Sequence, residues 1–353
     1  MESLTVNGKR IEVIDLFCGV GGLTNGLKQS GLDVIAGFDI EKKCEYPYTF
    51  NNGAQFFCKD MRQVTGEEIN KLFSKDSIKI LAGCAPCQPF SQMRFKYNSI
   101  NEDDDRYDLL LEFGRLVKEV QPDIVSMENV PKIRNTKVFE RFLKILKDNG
   151  YKTDYKVVYC PQYGIPQNRR RFLLLAAKDK EIRLLGPTHT KENYVTVRDT
   201  IYNLPEVEAG EIYEKDPLHQ TAKLSDINLE RIKQSKPGGT WKDWPEELRC
   251  ECHKKKSGET YSSVYGRMSW DKVAPTMTTQ FYCYGTGRYG HPTQNRALTL
   301  REGAMIQTFP IDYQFIKPNE KFSLKDVAKE IGNAVPVKLG EVIGKSILDF
   351  LQE

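Results

Sequence analysis

The chain predicts an α/β fold: a Rossmann-like, doubly wound domain with a smaller irregular, mostly β/loop domain inserted before the C-terminal helix. Three observations carry that expectation. Short apolar runs of strand length alternate with helical periodicities through the first half of the chain, the pattern of a largely parallel sheet covered on both faces. A glycine-rich turn, Phe17-Cys18-Gly19-Val20-Gly21-Gly22, stands between the first run and the first helical stretch. After Gly186-Pro187 the texture shifts to Gly, Pro, Thr, Tyr and charge with few clean periods, and periodicity returns from Leu324.

Each element has its own justification. Ile11-Glu12-Val13-Ile14-Asp15-Leu16 reads as the first strand, and Leu23 and Leu27 at i, i+4 begin a helix that Gly31 can end. Strands follow at 33–38 and 55–58. Ile78-Lys79-Ile80-Leu81-Ala82 is a buried strand that must stop at Pro86, which forces Ala85 extended and offers no N–H to a ladder. Cys87 therefore falls at the carboxyl edge, where open α/β sheets bind ligands. Residues 107–120 place Leu109, Leu110, Phe113, Leu116 and Val117 at helical spacing. The acidic run Glu102-Asp103-Asp104-Asp105 reads as the first turn of that helix, where negative charge favours the dipole. Next come a strand at 123–127, a helix at 137–149 and strands at 155–159 and 171–177, and Ile343, Ile347, Leu348 and Leu351 suggest a closing helix. The expected division is 1–185 plus 324–353 for the catalytic domain and 186–323 for the inserted one.

Composition narrows the class. Across 353 residues, 39% hydrophobic and 28% charged residues suit a soluble globular protein. Apolar runs such as Phe172-Leu173-Leu174-Leu175-Ala176-Ala177 are far too short to span a bilayer. The opening Met1-Glu2-Ser3-Leu4-Thr5 has no basic-then-apolar signal, so a cytoplasmic location without membrane contact is expected. Nine cysteines, an odd number, suit free thiols in a reducing compartment. A formal charge of +4 means that any nucleic-acid surface must come from local clustering.

The glycine turn offers close backbone approach and free helix N–H groups. Asp39 ends the second strand twenty residues beyond Gly19, the spacing of a ribose ligand. Asp60 ends the third strand and could accept from an adenine amino group. The third glycine of the dinucleotide fingerprint is missing, Thr24 standing there, which argues against a nicotinamide oxidoreductase. Met127-Glu128-Asn129-Val130 sets a carboxylate at another strand end, and Gln167-Asn168-Arg169-Arg170-Arg171-Phe172 sets three arginines at the entry to a further strand. Later come Arg301-Glu302-Gly303-Ala304-Met305-Ile306-Gln307-Thr308-Phe309-Pro310 and Ile331-Gly332-Asn333-Ala334-Val335-Pro336-Val337.

In this order, from Ile14 to Val337, these motifs closely resemble the bacterial DNA cytosine-5 methyltransferases. Residues from about 186 to 295 are uncovered, the region where that family varies target recognition. The resemblance implies S-adenosylmethionine as cofactor, S-adenosylhomocysteine as product, double-stranded DNA as substrate and no metal. It implies Cys87 as the nucleophile at cytosine C6, a covalent strategy that splits one hard step into two. Glu128 would hydrogen-bond N3 and the exocyclic amine, with Arg169 and Arg171 holding the cytosine carbonyl and the catalytic loop. Phe17, Gly19 and Gly21 would line the cofactor, Asp39 would hold its ribose, and Ile40 would pack on adenine. Asp60 would read the adenine amine beside Met61, with Pro86 also on the cofactor side and Asn333 at the methionine end. Gln88 and Ser91 would meet DNA, and residues 90–105 would close over an extruded base. DNA is expected in the cleft between the domains. The family further implies a monomer, bacterial or phage-encoded, that protects DNA beside a companion restriction endonuclease.

Rival readings account for fewer of these residues. Cys84-Ala85-Pro86-Cys87 could be a thioredoxin-like redox pair, but that leaves Glu128, the arginine run and the glycine turn unexplained. A transfer-RNA cytosine methyltransferase shares the motifs, yet its Cys-Phe-Thr tripeptide is absent. A catalytically silent DNA-binding protein would be expected to have lost one of Cys87, Glu128 and Arg169. Cys250-Glu251-Cys252-His253 invites zinc, but the C-x-C spacing lacks a second pair. Lys254-Lys255-Lys256 suits a solvated loop or phosphate contact equally. The Gly238-Gly239-Thr240-Trp241 stretch and the segment 284–291 suit loops that track a DNA backbone, and Arg267 and Arg288 are the candidates there for base or phosphate contact.

Overall fold

A computed structural model describes residues 4–86, 108–178, 180–256, 258 and 261–353. Cys87, Gln88, Ser91, the closing-loop stretch 90–105 and the acidic run Glu102-Asp103-Asp104-Asp105 lie outside the described residues. The chain forms two compact units. One comprises Met1–Tyr163, Arg170–Thr188 and Val335–Glu353; the other comprises Gly164–Arg169 and His189–Ala334.

The first unit is an eight-stranded sheet. In chain order its elements are β1 (Thr5–Val6), β2 (Lys9–Leu16), α1 (Gly22–Gln29), β3 (Asp33–Asp39), α2 (Glu45–Asn52), β4 (Gln55–Cys58), α3 (Gly66–Asn70) and β5 (Ile78–Gly83). There follow α4 (Asp108–Val120), β6 (Ile124–Asn129), α5 (Lys137–Asp148), β7 (Lys152–Tyr159) and β8 (Arg170–Ala177). The strand order is β4-β3-β2-β5-β6-β8-β7, with β1 added beside β2. The strands β2, β3, β4, β5 and β6 pair in parallel, as the apolar runs predict for strands covered on both faces. The chain winds outward from β2 to β4 and then restarts at β5 on β2's other side, so the switch point lies between β2 and β5. Ligands of open sheets bind there, beyond the carboxyl ends.

One strand departs from the parallel expectation. β8 inserts between β6 and β7 and runs antiparallel to both. Only residues 160–169 separate β7 from β8, too few for the crossover helix that parallel neighbours need. The core beneath the sheet joins Ile14, Leu16, Phe38, Leu81, Val125, Met127 and Leu174 to Phe113, Leu116, Phe139 and Phe142 of α4 and α5.

The final helix, Val337–Gln352, belongs to the first unit and packs on α1. The crossing is close enough that a Cβ on Gly26 would collide with the Val337 carbonyl and the Glu341 N–H.

The second unit holds α6 (Val197–Ile201), the hairpin β9 (Ile212–Tyr213) and β10 (Asp216–Gln220), α7 (Asp226–Gln234), α8 (Leu300–Ile306) and α9 (Leu324–Asn333), which makes the final helix α10. Ile232, Trp241, Trp244, Tyr284 and Ala297 form a core of its own. Helix α9 sits within this unit, so the compact division falls at 334/335 rather than at the return of periodicity at 324. Gln307 explains the attachment: its amide donates to the Ile331 and Ala334 carbonyls at 2.8 and 3.1 Å.

Candidate active site

The carboxyl edge of the sheet builds a row of three side chains. β5 and β6 are parallel neighbours with Gly83 opposite Met127, and the next step places Cys84 beside Glu128. On the other flank Glu128 faces Leu173 of β8, so Arg171, two residues along, shares its face of the sheet. The contacts follow from this register. Glu128 is 2% exposed. Its Oε1 lies 2.6 Å from Arg171 Nε, and its Oε2 accepts from the Cys84 thiol at 2.6 Å. A buried carboxylate needs such partners, because an unpaired buried charge is strongly disfavoured. The next residue, Asn129, is also buried and donates from Nδ2 to the Ala85 carbonyl at 3.2 Å. It thereby ties the backbone at Ala85, just before half-buried Pro86, to the end of β6.

The glycine turn beyond β2 is the second component. Phe17, Gly19 and Gly21 all have left-handed backbone angles, with φ of 61°, 51° and 87°. For Phe17 that region is uncommon and marks stored strain at a site. No atom lies within 4 Å of where a Cβ on Gly19 would sit, which leaves an open cradle. Asp39 closes one wall, its Oδ2 accepting from the Gly19 N–H at 2.8 Å and its Oδ1 from the Glu41 N–H at 2.9 Å. Burial raises the Asp39 pKa, and those two backbone donors pull against the rise. Beside it Ile40 presents a 69% exposed aliphatic face. An acid, an exposed aliphatic face and an open glycine turn thus stand together at the switch point, where open sheets bind ligands.

Under the turn lies Asp15, which sequence reading passes over as a strand residue. It is fully buried; Oδ2 accepts from the Thr24 hydroxyl at 2.7 Å, and Oδ1 has no hydrogen-bond partner among the described residues. Burial, opposed by the Thr24 bond and reinforced by Asp39, pushes its pKa up to about 7. Burial likewise holds the Cys18 thiol well above its ordinary range, an inert neighbour.

Other expected residues are placed differently. Asp60 caps the short turn Met61–Gln63, its Oδ1 accepting from the Arg62 N–H at 3.0 Å. The Met61 side chain is 2% exposed and belongs to the sheet core, so it offers no surface to a base. Arg169, in the second unit, spends its guanidinium on Gln167 Oε1 at 3.3 Å and the Met277 and Ala334 carbonyls at 3.0 and 3.5 Å. Asn333 stands exposed at the end of α9.

Arg267 corrects the sequence expectation of a DNA contact. It is buried and donates to the carbonyls of Ile232, His291 and Gln294 and to Asn295 Oδ1, at 2.6 to 2.8 Å. Those acceptors make it an internal brace. Arg288 is exposed. Trp241 is buried in the core of its unit, whereas Gly238 before it is exposed and Gly239 and Thr240 are half-buried. The His253 ring stacks on Trp241 with centroids 4.2 Å apart, and no group of three metal-ligating side chains occurs among the described residues. Lys254 pairs with Glu251 at 2.8 Å. None of the described helices is long and apolar enough to cross a membrane.

This strand order, with an open glycine turn at the switch point and a paired carboxylate one strand further on, defines a Rossmann-like methyltransferase. The chain belongs to the C-5 cytosine-specific DNA methylase family, whose pattern matches residues 11–349; it is a DNA cytosine-5 methyltransferase. It is 54% identical over 343 residues to the Type II methylase M.HgiDII of Herpetosiphon aurantiacus, covering 96% of both chains. It is 30% identical to the Type II methyltransferase M.Eco47II of Escherichia coli, over 97% of this chain and 79% of that one. Among solved structures, a putative DNA modification methyltransferase from an E. coli prophage superposes with a TM-score of 0.73, covering 97% of this chain and all of that one at 24% identity. The Entamoeba histolytica methyltransferase EhMeth does so at 0.68 and 18% identity, over 98% of this chain and all of that one. Those two likenesses concern the fold. Membership of the family implies S-adenosylmethionine as the methyl donor.

Proposed function

We propose that this chain methylates C5 of a cytosine within a specific DNA word by a covalent route through Cys87, with Glu128 and Arg171 acting on the base. The observation that carries the proposal is the buried Glu128–Arg171 pair at 2.6 Å, standing at the carboxyl edge of the sheet beside Cys84. Cytosine C5 is a poor nucleophile while the ring is aromatic. Addition of the Cys87 thiolate forms an S–C6 bond, and a proton placed on N3 from Glu128 turns C5 into an enamine carbon. Arg171 holds both Glu128 and the base carbonyl, and Arg169 steadies the catalytic loop from the turn it braces. When bound, S-adenosylmethionine supplies an electrophilic methyl group to C5. Loss of the C5 proton, expulsion of the thiolate from C6 and return of the N3 proton to Glu128 then restore the aromatic ring.

The cofactor is assigned to Phe17, Gly19, Gly21, Asp39 and Ile40, with Asp60, Pro86 and Asn333 completing the site and Met61 supporting it from the core. The open position at Gly19 and the exposed Ile40 face support this assignment. DNA is assigned to Gln88, Ser91 and Arg288. A base inside a duplex must first be extruded, at a cost of a few kcal/mol. The names of the Type II relatives support a role in restriction-modification, and to that role we assign a companion endonuclease, a monomeric state and a cytoplasmic location.

Bisulfite sequencing of plasmid from an expressing host gives the methylated word. Duplex DNA carrying 5-fluorocytosine in that word tests the chemistry, because fluorine cannot leave C5 as a proton does. With S-adenosylmethionine the wild-type chain should remain attached to this DNA through denaturing electrophoresis, and Cys87→Ala should not. Methylation by Cys87→Ala at the wild-type rate would overturn the proposal, and so would transfer of label to transfer RNA alone.

A further inference from the structure

Cys84 stands one residue beyond β5, half-buried, with its sulfur 2.6 Å from Glu128 Oε2, while Arg171 Nε is 2.6 Å from Oε1. We propose that Cys84 is a positioning residue for methyl transfer: its thiol and the Arg171 guanidinium grip opposite oxygens of Glu128 and fix the plane of the carboxyl group that meets the base. The inference rests on the proposed role of Glu128 and adds a residue to it.

Three facts converge. The β5–β6 register puts residue 84 beside residue 128 without distortion of either strand. Glu128 is buried, so each of its oxygens needs a partner from the protein. Arg171 approaches from β8, on the other flank of β6, and its Nε lies 2.6 Å from Oε1 as an ion pair without hydrogen-bond geometry. Held on one oxygen alone, the carboxyl group could still rotate about its last torsion, which is broad and roughly two-fold. Contact on the second oxygen removes that freedom.

The identity of the second group matters as well. Glu128 must exist both with and without a proton during one turnover. A thiol is a weak donor and a weak acceptor, so Cys84 donates to the carboxylate and accepts from the carboxylic acid by turning its S–H bond. An ammonium or guanidinium in its place would favour the ionised form alone. The same geometry separates the two cysteines of the C-x-x-C stretch by role, since the Cys84 sulfur engages a carboxylate.

The test is steady-state kinetics on DNA bearing the methylated word, for Cys84→Ala and Cys84→Ser, with Cys87→Ala as the reference for the chemistry. Binding of S-adenosylhomocysteine serves as the check on folding. Cys84→Ala should lower kcat about tenfold, the loss of one hydrogen bond to a charged group. Its KM values for DNA and S-adenosylmethionine should stay within about twofold, because the group acts on the transition state rather than on binding. Cys84→Ser, which keeps a donor and an acceptor, should recover kcat to within about threefold of wild type. Wild-type kcat in Cys84→Ala, or equal losses in both variants, overturns the inference. Should Cys84→Ala fail to fold, Cys84→Ser decides alone, a loss beyond about tenfold counting against the inference. An active Cys87→Ala would instead signal failure of the covalent reading, so the two failures are distinguishable.

Discussion

Asp15 sits beneath the glycine turn with one oxygen bonded to Thr24 and the other without a partner among the described residues, and its folded pKa of about 7 lies far above the 3.8 of an unperturbed aspartate. The sign of its effect on stability follows directly. The folded state binds this proton more tightly than the unfolded state, so the protonated form's contribution is complete below about pH 3.8 and is lost as pH rises to about 7. Above that, ionised Asp15 costs up to about 4 kcal/mol. Asp15→Asn should therefore raise the thermal unfolding midpoint at pH 8 and give no gain near pH 4; an equal gain at both values would place the cause elsewhere. The glycine turn above Asp15 was legible in the sequence, but the depth of the aspartate's burial was not, because depth is set by Tyr48, Thr24 and the turn that folds over it. Arg267 shows the same limit in reverse. Its setting among glycines and aromatics suggested a DNA contact, whereas three carbonyls and an amide oxygen of its own unit claim the guanidinium. Sequence reports that a cation is present, and only folding decides whether its donors are already spent.

At the scale of elements, strands buried on both faces announce themselves as apolar runs, so β2, β3, β4, β5 and β6 were read close to their observed bounds. Helix α2 was missed because Glu45-Tyr46-Pro47-Tyr48 looks like a turn, although proline is tolerated in a helix's first turn. The row Cys84, Glu128, Arg171 was legible only in part. Two of its members stood out by motif, and the third needs the strand register, a long-range property that no local pattern contains. The crossing of α1 with α10 depends on similar long-range geometry and yields a sharp expectation. Alanine at position 26 improves helix propensity by roughly 1 kcal/mol. Its Cβ, however, would overlap backbone atoms of Val337 and Glu341, which cannot swing aside as a side chain can. Overpacking of this kind typically costs about 1–3 kcal/mol, occasionally more, and at a backbone-on-backbone contact it should outweigh the propensity gain. Gly26→Ala should thus lower the urea midpoint with little change in slope; a raised midpoint would mean that the helices do not approach as described.

At the scale of the whole molecule, the two units carry opposite responses to acid. In the second unit Glu302 is fully buried, and the Arg296 guanidinium, bonded to both its oxygens at 2.8 Å, outweighs burial to hold its pKa at about 2. His291 lies 3.7 Å from the same carboxylate. Burial pushes its pKa down to about 4, the pull of Glu302 being outweighed once Arg296 and Arg267 add their repulsion. Both groups are depressed relative to the unfolded chain, so their stabilisation is present above the unfolded values of 6.5 and 4.5 and is lost as pH falls toward 4 and 2. For His291 alone the loss is up to about 3 kcal/mol. Asp15 in the first unit works the other way over the same interval, gaining stability as pH falls from about 7. The three tryptophans, Trp241, Trp244 and Trp270, all lie in the second unit, so their fluorescence reports its unfolding. The fluorescence-detected melting temperature should fall between pH 6.5 and 4, while the protection factors of amides in the strands β2 and β5, corrected for the intrinsic pH dependence of exchange, rise over the same range. His291→Gln should flatten the fluorescence trend without altering exchange in those strands. A fluorescence midpoint that holds steady or rises between pH 6.5 and 4 would show that the buried His291–Glu302–Arg296 group does not control the acid stability of its unit.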